Sequence, residues 1–154
     1  MKDVPYCSNP DDLKLYPGVS EAISKLNKAG FLVIMVTNQS GIGRGYFDVP
    51  RFEEMCVKLN ADVVEGGGRI DDIFYCPHRP EDHCDCRKPE IGMGIKAIMK
   101  YGINPKRSYM IGDHDKDLEF GKRLGMVSLR VTENRSFVDN VNDIIERCKT
   151  DNSR

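Results

Sequence analysis

Strands alternating with helices along a chain of 154 residues predict an α/β domain of three layers, built on a mostly parallel sheet with right-handed crossovers. Three observations carry that expectation. Residues 31–36, FLVIMV, are a continuous apolar run with β-branched members, the mark of a parallel strand covered on both faces. Stripes on either side of it follow helical spacing and end at glycine. Strand-like segments then run into loops rich in hydroxyl, amide or acidic side chains, as ligand loops at the carboxyl edge of open α/β sheets do.

Taken in order, residues 1–17 hold Pro5, Pro10 and Pro17 and no sustained period, so they read as an irregular lead-in with a short extended piece at 13–16. Val19, Ala22, Ile23 and Leu26 share one helical face, which Gly30 stops. The strand 31–36 leads into the loop 37–45, TNQSGIGRG. Asp48 caps a second helix that tolerates Pro50 in its first turn, with Phe52, Met55, Cys56, Leu59 and Val63 as its buried stripe and three glycines from Gly66 as its end. Residues 70–75 form a short strand, and Ile91, Ile95 and Ile98 mark a third helix stopped at Gly102. A strand at 108–111 enters the loop 112–117, GDHDKD, and Leu118 and Leu124 continue it as a fourth helix with Gly121 and Gly125 for packing and termination. The last strand is 126–131, and Ser136 with Asp139 resembles a capping box opening a final helix on Val138, Val141, Ile144, Ile145 and Cys148. Residues 1–150 read as a single domain and 151–154 as a tail.

Lysine plus arginine number 23 and aspartate plus glutamate 24, so no basic field exists to hold nucleic acid, while local charge leaves a small anionic substrate open. No apolar run of 18 residues and no signal-like apolar core at the start appear, which argues against a membrane and for the cytoplasm. A monomer is expected. Of six cysteines, Cys76, Cys84 and Cys86 fall within eleven residues together with His78, a spacing suited to metal rather than to disulfides. Cys56 and Cys148 lie on apolar stripes and read as small buried hydrophobes, leaving Cys7 over.

Three thiols and an imidazole can close a tetrahedron around one ion, and zinc is the usual occupant. Arg87, Lys88 and Pro89 follow the last of them, two cations held in place as an anion-binding site requires. Asp113 and Asp117 are four residues apart at the opening of a helix, so both can lie near one face of its first turn. With substrate phosphate they suit magnesium, which takes only one or two protein carboxylates. Acids there also complement the helix dipole for ~0.3–1 kcal/mol each, and Asp115 or Asp117 alone supports no more than that. Asp113 differs by standing at a strand end. Lys88 can neutralise a phosphoryl group, and Thr37 and Asn38 can donate to its oxygens. A lone lysine is normally a solvated charge and a glycine-rich loop a connector; three matched loops at one sheet edge outweigh both readings.

The segment VTNQSGI at 36–42 with Arg44 and Gly45, the segment from Tyr75 through Pro89, and Gly112-Asp113 with Asp117 together resemble the histidinol-phosphatase and heptose-bisphosphate-phosphatase branch of the haloacid dehalogenase superfamily. The resemblance runs nearly the whole chain. It implies a Rossmann-like three-layer sheet with a zinc-braced loop, and magnesium-dependent hydrolysis of a small phosphomonoester through an aspartyl phosphate. It further implies that Thr37 and Asn38 hold the phosphoryl group, that Lys88 balances its charge, and that Asp113 holds Mg2+. Gln39, Ser40, Arg44 and Arg87 would face the leaving part of the substrate. Cys76, His78, Cys84 and Cys86 would hold Zn2+, and Asp117 would order the site.

One departure matters. The family opens with an apolar strand ending in D-x-D-G-T, whose aspartates are the nucleophile and the general acid/base, and these 154 residues contain no such segment. Asp3, Tyr6 and the Pro17-Gly18-Val19 stretch resemble the family's residues directly downstream of that motif, so the chain is expected to be a truncated or internally started reading of a longer gene. Asp11-Asp12 and Asp71-Asp72 do not follow an apolar strand and offer no replacement. The missing strand is central in the family's sheet, so its neighbours must close together or tolerate a gap. Two readings result: a phosphatase of heptose bisphosphate or histidinol phosphate, serving carbohydrate metabolism or histidine biosynthesis, or a non-catalytic zinc-containing domain that binds a phosphorylated metabolite or a protein.

Overall fold

The computed structural model describes residues 17–152, so the lead-in with its extended piece, the register of Asp3 and Tyr6, Cys7 and the pair Asp11-Asp12 lie outside the described residues. Helix α1, Val19–Lys28, buries Val19, Ala22, Ile23 and Leu26, the stripe legible in the sequence. Strand β1, Ile34–Asn38, starts and ends later than the apolar run. The short helix α2, Ser40–Gly43, occupies part of the expected loop. Helix α3, Val49–Glu65, is capped as expected, the Asp48 carboxylate accepting the Arg51 N–H at 2.9 Å, and it buries Phe52, Met55, Leu59 and Val63. Cys56 and Cys148 are half-buried rather than enclosed.

Strand β2, Asp72–Cys76, pairs parallel with β1, from Ile34 opposite Asp72 to Asn38 opposite Cys76. Helix α4, Gly92–Tyr101, and helix α5, Asp115–Leu124, both end at left-handed glycines, Gly102 and Gly125. Strand β3, Tyr109–Gly112, pairs parallel with β4, Val127–Arg130. Helix α6, Phe137–Asn152, opens on the expected capping box, Ser136 Oγ accepting the Asp139 N–H at 3.1 Å and Asp139 Oδ2 the Ser136 N–H at 3.0 Å. It runs two residues into the expected tail. No helix among the described residues is long and apolar enough to cross a membrane.

Helices α1 and α6 meet through Ala22, Leu26, Val141 and Ile144, against which Val33, Tyr109, Ile111 and Leu129 pack. Val19 and Ile23 join Val63 of α3 in a second cluster, and Phe52 of α3 packs at a tilt against Tyr75, ring centroids 4.7 Å apart. The opposite face carries α4, whose Lys100 and Tyr101 both bond to Asp72, and α5, whose Gly121 sits on Met110 and Ser128. Two helix layers therefore enclose the strands. The strands themselves form two separate pairs, β1–β2 and β3–β4, with a cleft of about 2000 Å3 between β1 and β3. The gap is tolerated rather than closed. Every residue of β1 is consequently only half-buried, where the apolar run alone implied cover on all sides.

The Asp72 carboxylate accepts from Lys100 Nζ at 2.7 Å, Tyr101 OH at 2.6 Å and the Ile73 N–H at 2.8 Å. Burial on its own would raise this carboxyl, but the three hydrogen bonds and the lysine charge outweigh it and hold Asp72 below the usual carboxylate range. A depressed folded-state value stabilises the fold fully above the unfolded carboxyl's range, roughly pH 4, and the contribution fades as pH falls through the folded value. Asp72→Asn should therefore lower the urea midpoint at pH 7, with the gap to the parent chain shrinking near pH 3. An equal gap at both pH values would reject the pairing as its cause.

Candidate functional site

The carboxyl ends of the strands converge on Lys88. Its Nζ donates to Val36 O of β1 at 3.0 Å and to Asp117 Oδ1 of α5 at 2.6 Å, joining the two strand pairs at one end. Lys88 and Asp117 are only 9% and 6% exposed, so the pair is withdrawn from water. Asn38 clamps the lysine backbone, its Oδ1 accepting the Lys88 N–H at 2.9 Å and its Nδ2 donating to Lys88 O at 3.3 Å. The Asn38 amide, expected to face phosphoryl oxygens, is thus engaged in placing Lys88. Gln39 Nε2 donates to Thr37 Oγ1 at 2.9 Å and holds that hydroxyl at the end of β1.

Asp117 is positioned in turn by its surroundings: its Oδ2 accepts the His114 N–H at 3.2 Å, and Gly112 lies against it so closely that a β-carbon there would come 2.3 Å from the Asp117 β-carbon. Only glycine fits at the end of β3. The two acids expected on one face are therefore divided, Asp117 inward on Lys88 and Asp113 outward with its side chain 49% exposed, 3.6 Å from His114 Nε2. A carboxylate at a strand end, with room for water and phosphate oxygens, is the donor set that magnesium accepts. Arg130, which sequence reasoning did not single out, donates to Asp113 O at 3.2 Å and pairs with Asp115, tying the acidic loop to the end of β4. Its signal was a cation at the carboxyl end of the last strand.

Cys76, His78, Cys84 and Cys86 present their ligand atoms within 4.8 Å of one another, so the loop after β2 closes on itself as expected. The separations are 3.5 Å from Cys76 Sγ to Cys84 Sγ, 2.9 Å to Cys86 Sγ and 3.4 Å to His78 Nδ1. Tetrahedral zinc–sulfur bonds near 2.3 Å set ligand edges of about 3.8 Å, so small adjustments would seat the ion. Among the described residues no sulfur pair is bonded. Burial, reinforced by the neighbouring thiols, pushes Cys76 up to about 12. Burial also opposes the Cys84 thiolate, but the backbone hydrogen bonds involving Cys86 and Arg87 and the one from Cys76 bring it down to about 7. Burial raises Cys86 as well. Such a set carries three thiolates at neutral pH only with a cation at its centre.

The residues expected to face the leaving part of the substrate are spread around this frame. Ser40 is buried in α2, and Arg44, its side chain 31% exposed, reaches Glu81 of the cysteine loop at 3.6 Å. Arg87 lines the cleft beside Lys88, and its Nη1 is buried without a hydrogen-bond partner. A guanidinium nitrogen so placed fits an anionic oxygen.

Known proteins resemble this chain over most of its length. A family model described as HAD-hydrolase-like matches residues 85–149. The probable D-glycero-D-manno-heptose-1,7-bisphosphate 7-phosphatase of Thermoplasma volcanium is 44% identical over 124 residues, 80% of this chain and 85% of its own length. The D-glycero-beta-D-manno-heptose-1,7-bisphosphate 7-phosphatase of Haemophilus influenzae is 39% identical over 125 residues, 77% of this chain and 68% of its own. The crystal structure of a D,D-heptose 1,7-bisphosphate phosphatase from B. bronchiseptica, complexed with magnesium and phosphate, superposes with a TM-score of 0.84 at 28% identity, covering 91% of this chain and 88% of that one.

Proposed function

Because the chain belongs to the heptose-bisphosphate phosphatase family of the haloacid dehalogenase superfamily, we propose that its strand-end site binds the phosphoryl group of a phosphorylated sugar of the heptose-bisphosphate kind together with magnesium. The observation that supports this reading best is the Lys88 ammonium fixed between β1 and α5, in a cleft that Thr37 and Asp113 also line. Lys88 offers positive charge to the phosphoryl oxygens and Thr37 a hydroxyl donor, while Asn38 and Asp117 hold the lysine in place. Asp113 would hold magnesium, which when bound neutralises charge on the transferring group. Gln39, Ser40, Arg44 and the unpartnered Arg87 nitrogen would take the sugar and its second phosphate. The zinc ligands would brace the loop that carries Arg87. A cytoplasmic monomer is the setting this reading takes.

Hydrolysis through an aspartyl phosphate needs a free carboxylate facing the phosphorus. Among the described acids at the site, Asp117 is bound to Lys88 and Asp113 is the proposed metal ligand, so neither is left to attack. Turnover of heptose bisphosphate by this chain is therefore expected to be ~10⁴–10⁶-fold below that of a family member with its nucleophile. Calorimetric titration with inorganic phosphate tests the binding half: affinity should require magnesium and fall at least about tenfold in Asp113→Asn, a loss of ~1.4 kcal/mol or more. Phosphate binding indifferent to both magnesium and Asp113 would leave a protein-binding role for the zinc-containing domain as the better reading.

A further inference from the structure

Asp113, Asp115 and Asp117 place three carboxylates within five residues just past β3, with Lys116 the one lysine or arginine among them. All three acids line the same cleft as Arg87 and Lys88, and three free carboxylates would repel the anion those cations attract. Two of the three are not free. Lys88 takes Asp117 at 2.6 Å, and Arg130 of β4 pairs with Asp115. Asp113 is left, with only the His114 ring near it at 3.6 Å.

Arg130 is anchored before its side chain reaches that loop. It stands opposite Gly112 in the β3–β4 ladder, and Val131 after it donates its N–H to Gly112 O at 2.8 Å. The Arg130 C=O accepts from Asn140 Nδ2 at 3.1 Å. Asn140 is wholly buried in α6, where it also donates to Ser136 O at 3.1 Å and accepts from Arg135 Nε at 2.9 Å. Arg135 in turn pairs with Asp143 one turn along. From this fixed main chain the guanidinium spans two acceptors, Nη1 donating to Asp113 O at 3.2 Å and Nη2 to Asp115. A planar fork serves two such acceptors in one geometry, which a compact ammonium does less well.

We propose that Arg130 is a positioning residue of the phosphate site: it grips the main chain of Asp113 and cancels the charge of Asp115, so that a single carboxylate of the loop is left to magnesium and phosphate. This role rests on the strand-end site binding phosphate with magnesium. Arg130 does not itself line the cleft, so it acts through the two aspartates. The Arg130 and Asp115 side chains are 41% and 93% exposed, and an ion pair so open to water adds little to stability. Its removal should therefore be felt in anion binding and not in the fold.

Calorimetric titration of the 154-residue chain with inorganic phosphate in saturating magnesium tests this. Arg130→Met should bind phosphate at least about fivefold more weakly, and in 1 M salt, where the screening length is about 3 Å, that ratio should shrink. Its urea midpoint should stay close to the parent's. Asp115→Asn alone should bind phosphate as the parent does. Added to Arg130→Met, it should recover most of the loss, the remainder being the lost grip on Asp113 O. Arg130→Lys, which keeps the charge without the fork, should fall between parent and Arg130→Met. Phosphate affinity in Arg130→Met within about twofold of the parent, or no recovery in the double variant, would overturn the role of Arg130 alone. A parent chain without magnesium-dependent phosphate binding would overturn the reading of the strand-end site, and this role with it.

Discussion

Replacement of Lys88 by methionine is expected to destabilise the fold by about 3–5 kcal/mol, because it leaves the Asp117 carboxylate buried without a counter-charge. Methionine fills much of the same volume, so lost packing contributes little. The urea midpoint should fall with little change in the denaturant slope. Adding Asp117→Asn to Lys88→Met should recover a large part of the loss, since the carbonyl end of an amide still accepts the His114 N–H that Asp117 Oδ2 accepts now. Phosphate binding should stay lost in the double variant, because the positive charge is gone in both. A single variant within about 1 kcal/mol of the parent would mean that Asp117 is solvated and that the pair does not join the two halves of the molecule.

Removal of zinc is expected to be the second large effect. If free zinc stands about a thousandfold above its dissociation constant, binding adds about 4 kcal/mol to the apparent stability, and a strong chelator should remove it as a drop in melting temperature. Metal analysis should find one zinc per chain, lost in Cys84→Ser. Acid should release it too, since protons compete for thiolates whose metal-free values lie as far apart as about 7 at Cys84 and about 12 at Cys76. The loop from Cys76 to Gly92 carries Arg87 and Lys88, so the chelated protein should also bind phosphate less tightly. A chain that melts unchanged in chelator would show the loop to be held by its other contacts, such as the Arg79–Asp82 pair at 3.1 Å.

Much of this molecule was readable from the chain. The stripe on α3, the Asp48 cap, the Ser136–Asp139 box and the left-handed stops at Gly102 and Gly125 all depend on residues within a few positions of each other. The four candidate metal ligands lie within eleven residues, so their grouping needed only one loop to fold back. The start of β1 was harder to read, because an apolar run reports burial and not the point at which ladder bonds begin. Arg130 stayed hidden for a different reason: its partners Asp113 and Asp115 are brought to it by the pairing of β3 with β4.

Local pattern and spacing by themselves determined most of the elements, the cysteine and histidine cluster that could hold a metal, and the family resemblance, because helical period, capping and ligand spacing are short-range properties. Tertiary structure decided how those parts were used. It turned Asn38 onto the backbone of Lys88, drew Asp117 inward while leaving Asp113 in solvent, and set β1 and β3 apart with their edges facing across a cleft. Each of these depends on residues tens of positions apart competing for the same few hydrogen-bonding groups, and only the packed chain settles that competition.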